Sequence, residues 1–318
     1  MTLPMDALVQ KAITLTTDLS AIIPELWAAQ MEPNLRKDAV LQQSLVENTD
    51  LLGSDGDVVH IPTLPDLTAA AALTEGTDIT VADLTDATSI DLTPSEVGKA
   101  IGITRKALDR IKYDGMAAIV DRLAYSMSLY IEGTIAALWD NDLPGASGSA
   151  MTELYPNAHT SANVATTDTF SSDILLDSVG ELRALDVNPF PDGSFMAFIH
   201  PYQYRDLLKD TDVKNAIFYG SPQVMFRGEV GSLHNCRLIV TNHVVHATEN
   251  TTVDVRKALL VSPRWAAVAW KRRPELTVDP TLYDFGRRRQ VAVTADLDIQ
   301  MLHLDRGIVI STAAVAAA

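Results

Sequence analysis

The pair His243-Val-Val-His246 is the nearest approach in this sequence to a metal-ligand motif. Two imidazoles share a metal only when their ring nitrogens converge. The stretch Leu238-Ile-Val-Thr-Asn242 leading into them reads as a strand, in which positions three apart face opposite ways. The rings are expected to diverge, so no metal site is assigned. His200, in Phe195-Met-Ala-Phe-Ile-His200-Pro-Tyr-Gln-Tyr204, stands where a general base at a strand end could stand. It has no Ser or Cys elbow to activate, and Pro201 at a helix N1 position explains the segment as a strand entering a helix. A remote reading as a hydrolase rests on this histidine alone. Cys236, the single cysteine, lies in the apolar run Cys236-Arg-Leu-Ile-Val-Thr241 and reads as a small buried side chain. The sequence contains no G-x-S-x-G, H-E-x-x-H, G-x-x-x-x-G-K-[ST] or G-x-G-x-x-G. No catalytic residue, metal or cofactor is therefore expected.

Charge is the more informative chemistry. The 318 residues carry 25 basic and 41 acidic side chains, a formal charge of −16, which argues against nucleic-acid binding through the overall field. The distribution is uneven. From Asp50 to Glu96 there are ten carboxylates (Asp50, Asp55, Asp57, Asp66, Glu75, Asp78, Asp83, Asp86, Asp91, Glu96) and no Lys or Arg. Five basic residues then fall between Lys99 and Lys112, and seven between Arg264 and Arg289, nearly half of the total in two short segments. No D-x-[DN]-x-[DN]-G spacing turns the acidic stretch into a cation loop, so it reads as a solvated or partner-facing arm.

The elements that position these charges follow from periodicity. Leu26, Trp27, Met31, Leu35, Val40, Leu41 and Leu45 suggest helical pieces between Ile22 and Asn48, broken near Pro33. Val58–Ile61, Ile79–Leu84 and Ser89–Leu92 are short β-like pieces with too few apolar positions to make a core of their own, so this segment must lean on something else. Val97 to Ile103 alternates: Val97, Ile101 and Ile103, with Lys99, share one face, and Gly98, Ala100 and Gly102 leave the other nearly bare. From Gly115 to Asp140, Met116, Ile119, Val120, Leu123, Met127, Tyr130, Ile131, Ile135 and Leu138 recur at helical spacing. Asp121, Arg122, Ser128 and Glu132 mark the other side, and Asp114 is the expected N-cap. Residues 141 to 170 read as loop. A compact α/β pattern follows: a helix Ser172–Leu185, strand Ser194–His200, a helix from Pro201 to about Lys209, and strands Leu238–Val245 and Ala258–Ser262. The tail reads as strands Gln290–Ala295, Ile299–His303 and Ile308–Thr312, with a turn at Asp305-Arg-Gly307. Met1-Thr-Leu-Pro-Met-Asp lacks the regions of a secretory signal and no apolar run reaches ~18 residues, so neither export by that route nor a membrane span is expected.

The order of these pieces resembles that of the major capsid proteins of tailed bacteriophages, the HK97 fold. The closest local likenesses are Lys99-Ala-Ile-Gly-Ile-Thr-Arg-Lys-Ala-Leu-Asp109 leading into the helix from Asp114 to Trp139, Phe195 to Tyr204, and Gly231-Ser-Leu-His-Asn-Cys-Arg-Leu-Ile-Val-Thr-Asn242. The resemblance implies an α+β fold divided into an N-terminal arm (1–49), an E-loop hairpin (50–98), a P-domain with spine helix (99–145), an α/β A-domain (146–280), and a return to the P-domain with the C-terminal tail (281–318). Val97 to Ile103 becomes the returning leg of the E-loop, its bare face admitting another backbone or the spine helix, and Thr104 caps the helix that follows.

In function the resemblance implies a non-enzymatic coat protein that closes, as hexamers and pentamers, into an icosahedral head around double-stranded DNA contacted non-specifically. A separate scaffolding protein and a portal are implied, because a large cleaved N-terminal scaffolding extension is not expected at this length. The implied location is the virion capsid, assembled in the host bacterial cytoplasm without a membrane. Some shells of this fold join an E-loop lysine to an asparagine, but residues 50 to 96 contain no Lys, so that link is not expected. The alternative within the same fold is an encapsulin-type nanocompartment shell. Asp57, Glu75, Asp78 and Asp83 on the arm, with Arg272, Arg273, Arg287 and Arg288 on the platform, are the expected contacts between subunits.

Overall fold

The computed structural model describes residues 36–63, 69–70, 72, 75–76, 78, 88–110, 115–139, 151–214, 231–279 and 287–314. The expected helical pieces before residue 36, the β-piece Ile79–Leu84, Asp83 and the cap Asp114 lie outside them.

The described chain begins with a 3-10 turn at Leu41–Ser44 and strand β1 (Val46–Asn48), in place of the helix expected to run to Asn48. The reason is local: the backbone N–H groups of Val40, Leu41 and Gln42 all donate to the Glu132 carboxylate, which holds them out of a helical ladder. Strands β2 (Val59–Thr63) and β3 (Thr88–Leu92) pair antiparallel as a two-stranded ribbon. Strand β4 (Ser95–Thr104) follows, and the Thr104 hydroxyl accepts the Ala107 N–H at 3.2 Å to cap α1 (Arg105–Arg110), as expected. The spine helix α2 (Gly115–Ala137) is 23 residues long, about 35 Å at the usual rise. Its buried stripe is Leu123, Met127, Ile131 and Ile135, each four residues from the next.

Residues 151–170 are mostly loop, with the short strand β5 (Thr152–Leu154) and a 3-10 turn at Pro156–Ala158. Helix α3 (Ser172–Ala184) starts at an N-cap Ser171, and β6 (Phe195–Ile199) is buried along its whole length. Helix α4 (Pro201–Lys209) is capped by His200 with Pro201 in the first turn. The single strand expected over Leu238–Val245 is two, β8 (Cys236–Val240) after a short β7 (Ser232–Leu233), and β9 (Val245–Glu249), because the chain turns at residues 241–244. Strands β10 (Val253–Val261), β11 (Ala266–Val278), β12 (Arg288–Met301) and β13 (Gly307–Ala313) complete the fold. The two pieces expected at 290–295 and 299–303 are one continuous β12.

Two sheets carry the structure. One has the order β1-β11-β12-β4; the other runs β5-β13-β10-β6-β8-β7 with β9 on β10. Strand β11 belongs to the first sheet and β13 to the second. The main core fills the space between α2 and one face of the four-stranded sheet, where Val268, Trp270, Val291, Val293, Ala295 and Leu297 meet the helix stripe. The root of the β2–β3 ribbon lies against Ala267 and Ala269, burying Leu92 completely with Val59 and Ile61 alongside. The weakly apolar ribbon thus leans on this chain's own sheet.

The bare face of β4 meets another backbone and not the spine helix, and the expectation for Glu132 is corrected. Val97 and Ile101, not the bare face of β4, meet the spine helix. Gly98, Ala100 and Gly102 are exposed, and a Cβ on Gly98 would stand 2.9 Å from the Val293 carbonyl oxygen of β12, so the backbone that needs this glycine is the adjacent strand. Glu132, expected on the polar side of the helix, is 1 % exposed.

Candidate subunit interface

The acidic ribbon and the basic platform meet first within one chain. Beyond Trp270 strand β11 runs past the core as a hairpin with β12, and its side chains become exposed. Lys271 pairs with Asp57 at the base of the ribbon. The Arg272 guanidinium lies 3.1 Å from Asp296 and 3.4 Å from Glu96, and Arg273 lies 3.2 Å from Glu47. The hydrogen bond from Lys271 holds the Asp57 carboxyl below its usual range; Asp296, with Glu96 and Glu275 behind it, raises the Arg272 guanidinium. These pairs stand in water, which screens them, so their effect is to orient the ribbon root more than to stabilise it. Of the expected intersubunit residues, Asp57, Arg272 and Arg273 therefore all have partners in their own chain.

The opposite end of the sheet is different. Thr104 pairs with Arg288, and the Arg105 N–H donates to the Arg287 carbonyl at 2.8 Å. This register gathers Arg105, Lys106 and Arg110 from one segment with Arg287 and Arg288 from the other, all exposed, with Asp109 among them. The ten residues of β4 set this corner about 30 Å from the ribbon end of the sheet. Glu75 and Asp78 are exposed. Between α2 and the β11 hairpin runs an open groove of about 300 Å³, lined by Val120, Ala124, Met127, Pro274 and Leu276.

The candidate catalytic groups have structural positions. His200 is 8 % exposed; its Nδ1 accepts the Tyr202 N–H at 3.2 Å while its backbone N–H donates to the Gln203 side-chain oxygen at 2.9 Å. Burial, reinforced by the neighbouring Arg256, His246 and Lys37, lowers its imidazole to about 4. His243 is buried in the turn before β9, whereas His246 is exposed on β9, 3.3 Å from Asp254. The two rings do not converge, and no metal-holding group of three His, Cys, Asp or Glu occurs among the described residues. Cys236 is fully buried and its thiol is pushed up to about 12 by desolvation. No helix among the described residues is long and apolar enough to cross a membrane.

The architecture is a helix-backed four-stranded sheet that carries a ribbon and is joined to a second α/β sheet. The structure of the capsid of Ralstonia phage GP4 superposes with a TM-score of 0.71 at 16 % identity, covering 92 % of this chain and 96 % of that one. The cyanophage Pam1 capsid gives 0.74 at 16 % identity over 94 % and 98 %, and the head of Helicobacter pylori bacteriophage KHP40 gives 0.70 at 12 % over 98 % and 99 %. At these identities the likeness establishes the HK97-like fold. No curated protein matches in sequence. The family model described as phage capsid protein matches residues 87–310, and the chain belongs to that family. It is a major capsid protein; neither the encapsulin nor the hydrolase alternative is supported.

Proposed function

We propose that this protein is the non-enzymatic coat subunit of a tailed phage, closing as hexamers and pentamers into an icosahedral head around double-stranded DNA. Assembly takes place in the host bacterial cytoplasm, with a separate scaffolding protein and a portal. Residues 50–98 act as the E-loop, reaching from one subunit to the next. The observation that carries this reading is the separation of charge along β4: an acidic ribbon leaves one end of the sheet and an exposed basic corner occupies the other. A chain with complementary ends about 30 Å apart is suited to head-to-tail contacts, which generate rings. Glu75, Asp78 and Asp83 are the arm side of that contact, and Arg287 and Arg288, with Arg105, Lys106 and Arg110, are its receiving side. Asp57, Arg272 and Arg273 serve it by fixing the root of the arm.

Expression of the chain with and without candidate scaffolding protein, followed by sedimentation and negative-stain imaging, tests the proposal. Closed polyhedral particles are the expected product; a chain that stays monomeric or dimeric under both conditions overturns it.

A further inference from the structure

One face of the seven-stranded sheet holds a buried ionic cluster that shell contacts do not explain. Lys257 on β10 is 1 % exposed, and its ammonium lies 3.4 Å from Glu153 of β5 and 3.5 Å from Glu249 of β9. The Ser311 hydroxyl on β13 donates to Glu153. Glu249 is 7 % exposed, and neither of its carboxylate oxygens has a hydrogen-bond partner by geometry. The Tyr155 hydroxyl, also buried, lies against both carboxylates without proper hydrogen-bond geometry to either. Residues 155–170 cover this face. Val164 is fully buried with Tyr155, Val253, Val255 and Ala313, and the loop is tied down by Asn250 N–H to the Ser161 carbonyl, Asn250 Nδ2 to the Val164 carbonyl, and Ala313 N–H to the Asp168 carbonyl.

Two carboxylates and one ammonium, all ionised, leave one net negative charge; Glu153 keeps 20 % of its side chain exposed, so the cost of desolvating that charge falls on the buried Glu249. A single proton removes it. We propose that this cluster is a proton-binding site, with the proton held on Glu249, and that losing it as pH rises loosens the edge strands β5 and β9 together with the 155–170 strap. The groups acting on Glu249 are Tyr155 and Glu153 from the β5 segment and Lys257 from β10; burial is the largest influence and raises its carboxyl above the ordinary value. A carboxyl raised in the folded state contributes stability that is fully present below the unfolded value and lost as pH rises through the folded one. The strap is therefore tightest in mild acid, the reverse of the usual carboxylate behaviour.

Two measurements on the full-length protein test this. The first is difference infrared spectroscopy near neutral pH. It should show the C=O stretch of a protonated buried carboxyl, absent from Glu249→Gln and titrating away as pH rises; an ordinary ion pair gives no such band. The second is amide hydrogen exchange of residues 151–170 and 245–249, corrected for intrinsic rates. In the wild type protection should fall with rising pH by up to about tenfold per unit, the slope of one proton. In Glu249→Gln it should be flat. No carboxyl band at any pH between 5 and 8, or the same pH slope in the variant as in the wild type, overturns the proposal.

Discussion

The carboxylate of Glu132, in the C-terminal part of the spine helix, accepts the backbone N–H of Leu41 through both oxygens, at 3.1 and 3.0 Å. Val40 and Gln42 donate to the same group at 3.2 and 3.3 Å, and Leu41 itself is fully buried in the main core. One acidic side chain thereby satisfies three consecutive amides and fixes the 3-10 turn at Leu41–Ser44 against the spine helix. Burial raises its carboxyl and the three amides pull it back. Glu132→Ala would leave these donors without a partner, an expected cost of about 3 kcal/mol or more. Glu132→Gln, which keeps one acceptor oxygen, should cost about half as much. Thermal unfolding of both variants measures the difference; equal losses would mean that volume, not the hydrogen bonds, matters at this site.

Leu123 is 1 % exposed on the buried stripe of the spine helix, whereas Asp121 is exposed and pairs with Arg36. Leu123→Asp puts an unpaired carboxylate into the core and should prevent soluble folding. Asp121→Ala removes only a solvated pair and should fold and assemble. The soluble fraction after expression reads both outcomes.

Much of this was legible in the sequence because apolar spacing reports directly on burial. The stripe from Leu123 to Ile135 and the alternation from Val97 to Ile103 stand where periodicity puts them, and Thr104 caps α1 as the resemblance implied. Glu132 was not legible, since a glutamate at a helical polar position is ordinarily solvated and nothing nearby in sequence announces three amides 90 residues earlier. Strand β11 was equally hidden: its Ala-rich start and charged end carry no clean period, and its strand character comes from pairing with β12 and β1. Arg272 and Arg273 could be read as basic platform residues, but their partners Asp296, Glu96 and Glu47 are brought to them only by the sheet register. The buried ionic cluster around Lys257 is likewise assembled from four strands.

Gly98 and Gly102 share the bare face of β4 but not its constraint. A Cβ at Gly98 would lie 2.9 Å from both the Val293 carbonyl oxygen and the Thr294 methyl, while one at Gly102 meets nothing closer than 3.7 Å. Gly98→Ala is expected to lower stability by about 1–3 kcal/mol through overpacking between β4 and β12. Gly102→Ala should be neutral or slightly stabilising. Denaturant midpoints of the pair decide whether the contact is as tight as this geometry requires.

His200 gives the fold an acid-sensitive component of opposite sign to Glu249. Its imidazole titrates near 4 in the folded state against about 6.5 in the unfolded chain. Between these values the unfolded state takes up a proton that the folded state refuses, so stability present above pH 6.5 is lost as pH falls toward 4, by up to roughly 3 kcal/mol. Burial moves His243 and His303 in the same direction. His200→Asn keeps a capping acceptor, its amide oxygen taking the place of Nδ1, and removes this proton uptake. Its melting temperature should drop less than that of the wild type between pH 7 and pH 4.5; an unchanged drop would assign the acid sensitivity to other groups.

The charge arrangement across subunits is open to the most direct challenge. Asp78→Lys with Asp83→Lys reverses two charges on the arm, and under the proposed contact it should slow shell formation or give aberrant particles at low salt. Arg287→Glu with Arg288→Glu on the same chain should partly restore assembly, because the contact then forms with both signs exchanged. Arg272→Glu with Arg273→Glu should not, since those side chains already engage Asp296, Glu96 and Glu47 and their reversal would free the ribbon root. A single exposed pair contributes little, but complementary patches repeated around a capsomer fix register and accelerate encounter. The wild-type assembly rate should therefore fall as salt shortens the screening length below about 10 Å, and the doubly reversed chain should fall in parallel. Light scattering during assembly, with particle images at the end point, reads all four chains. Wild-type kinetics from the arm variant at low salt would break the link between acidic arm and basic corner, and rescue by the Arg272 and Arg273 reversals would move the receiving site to the β11 hairpin.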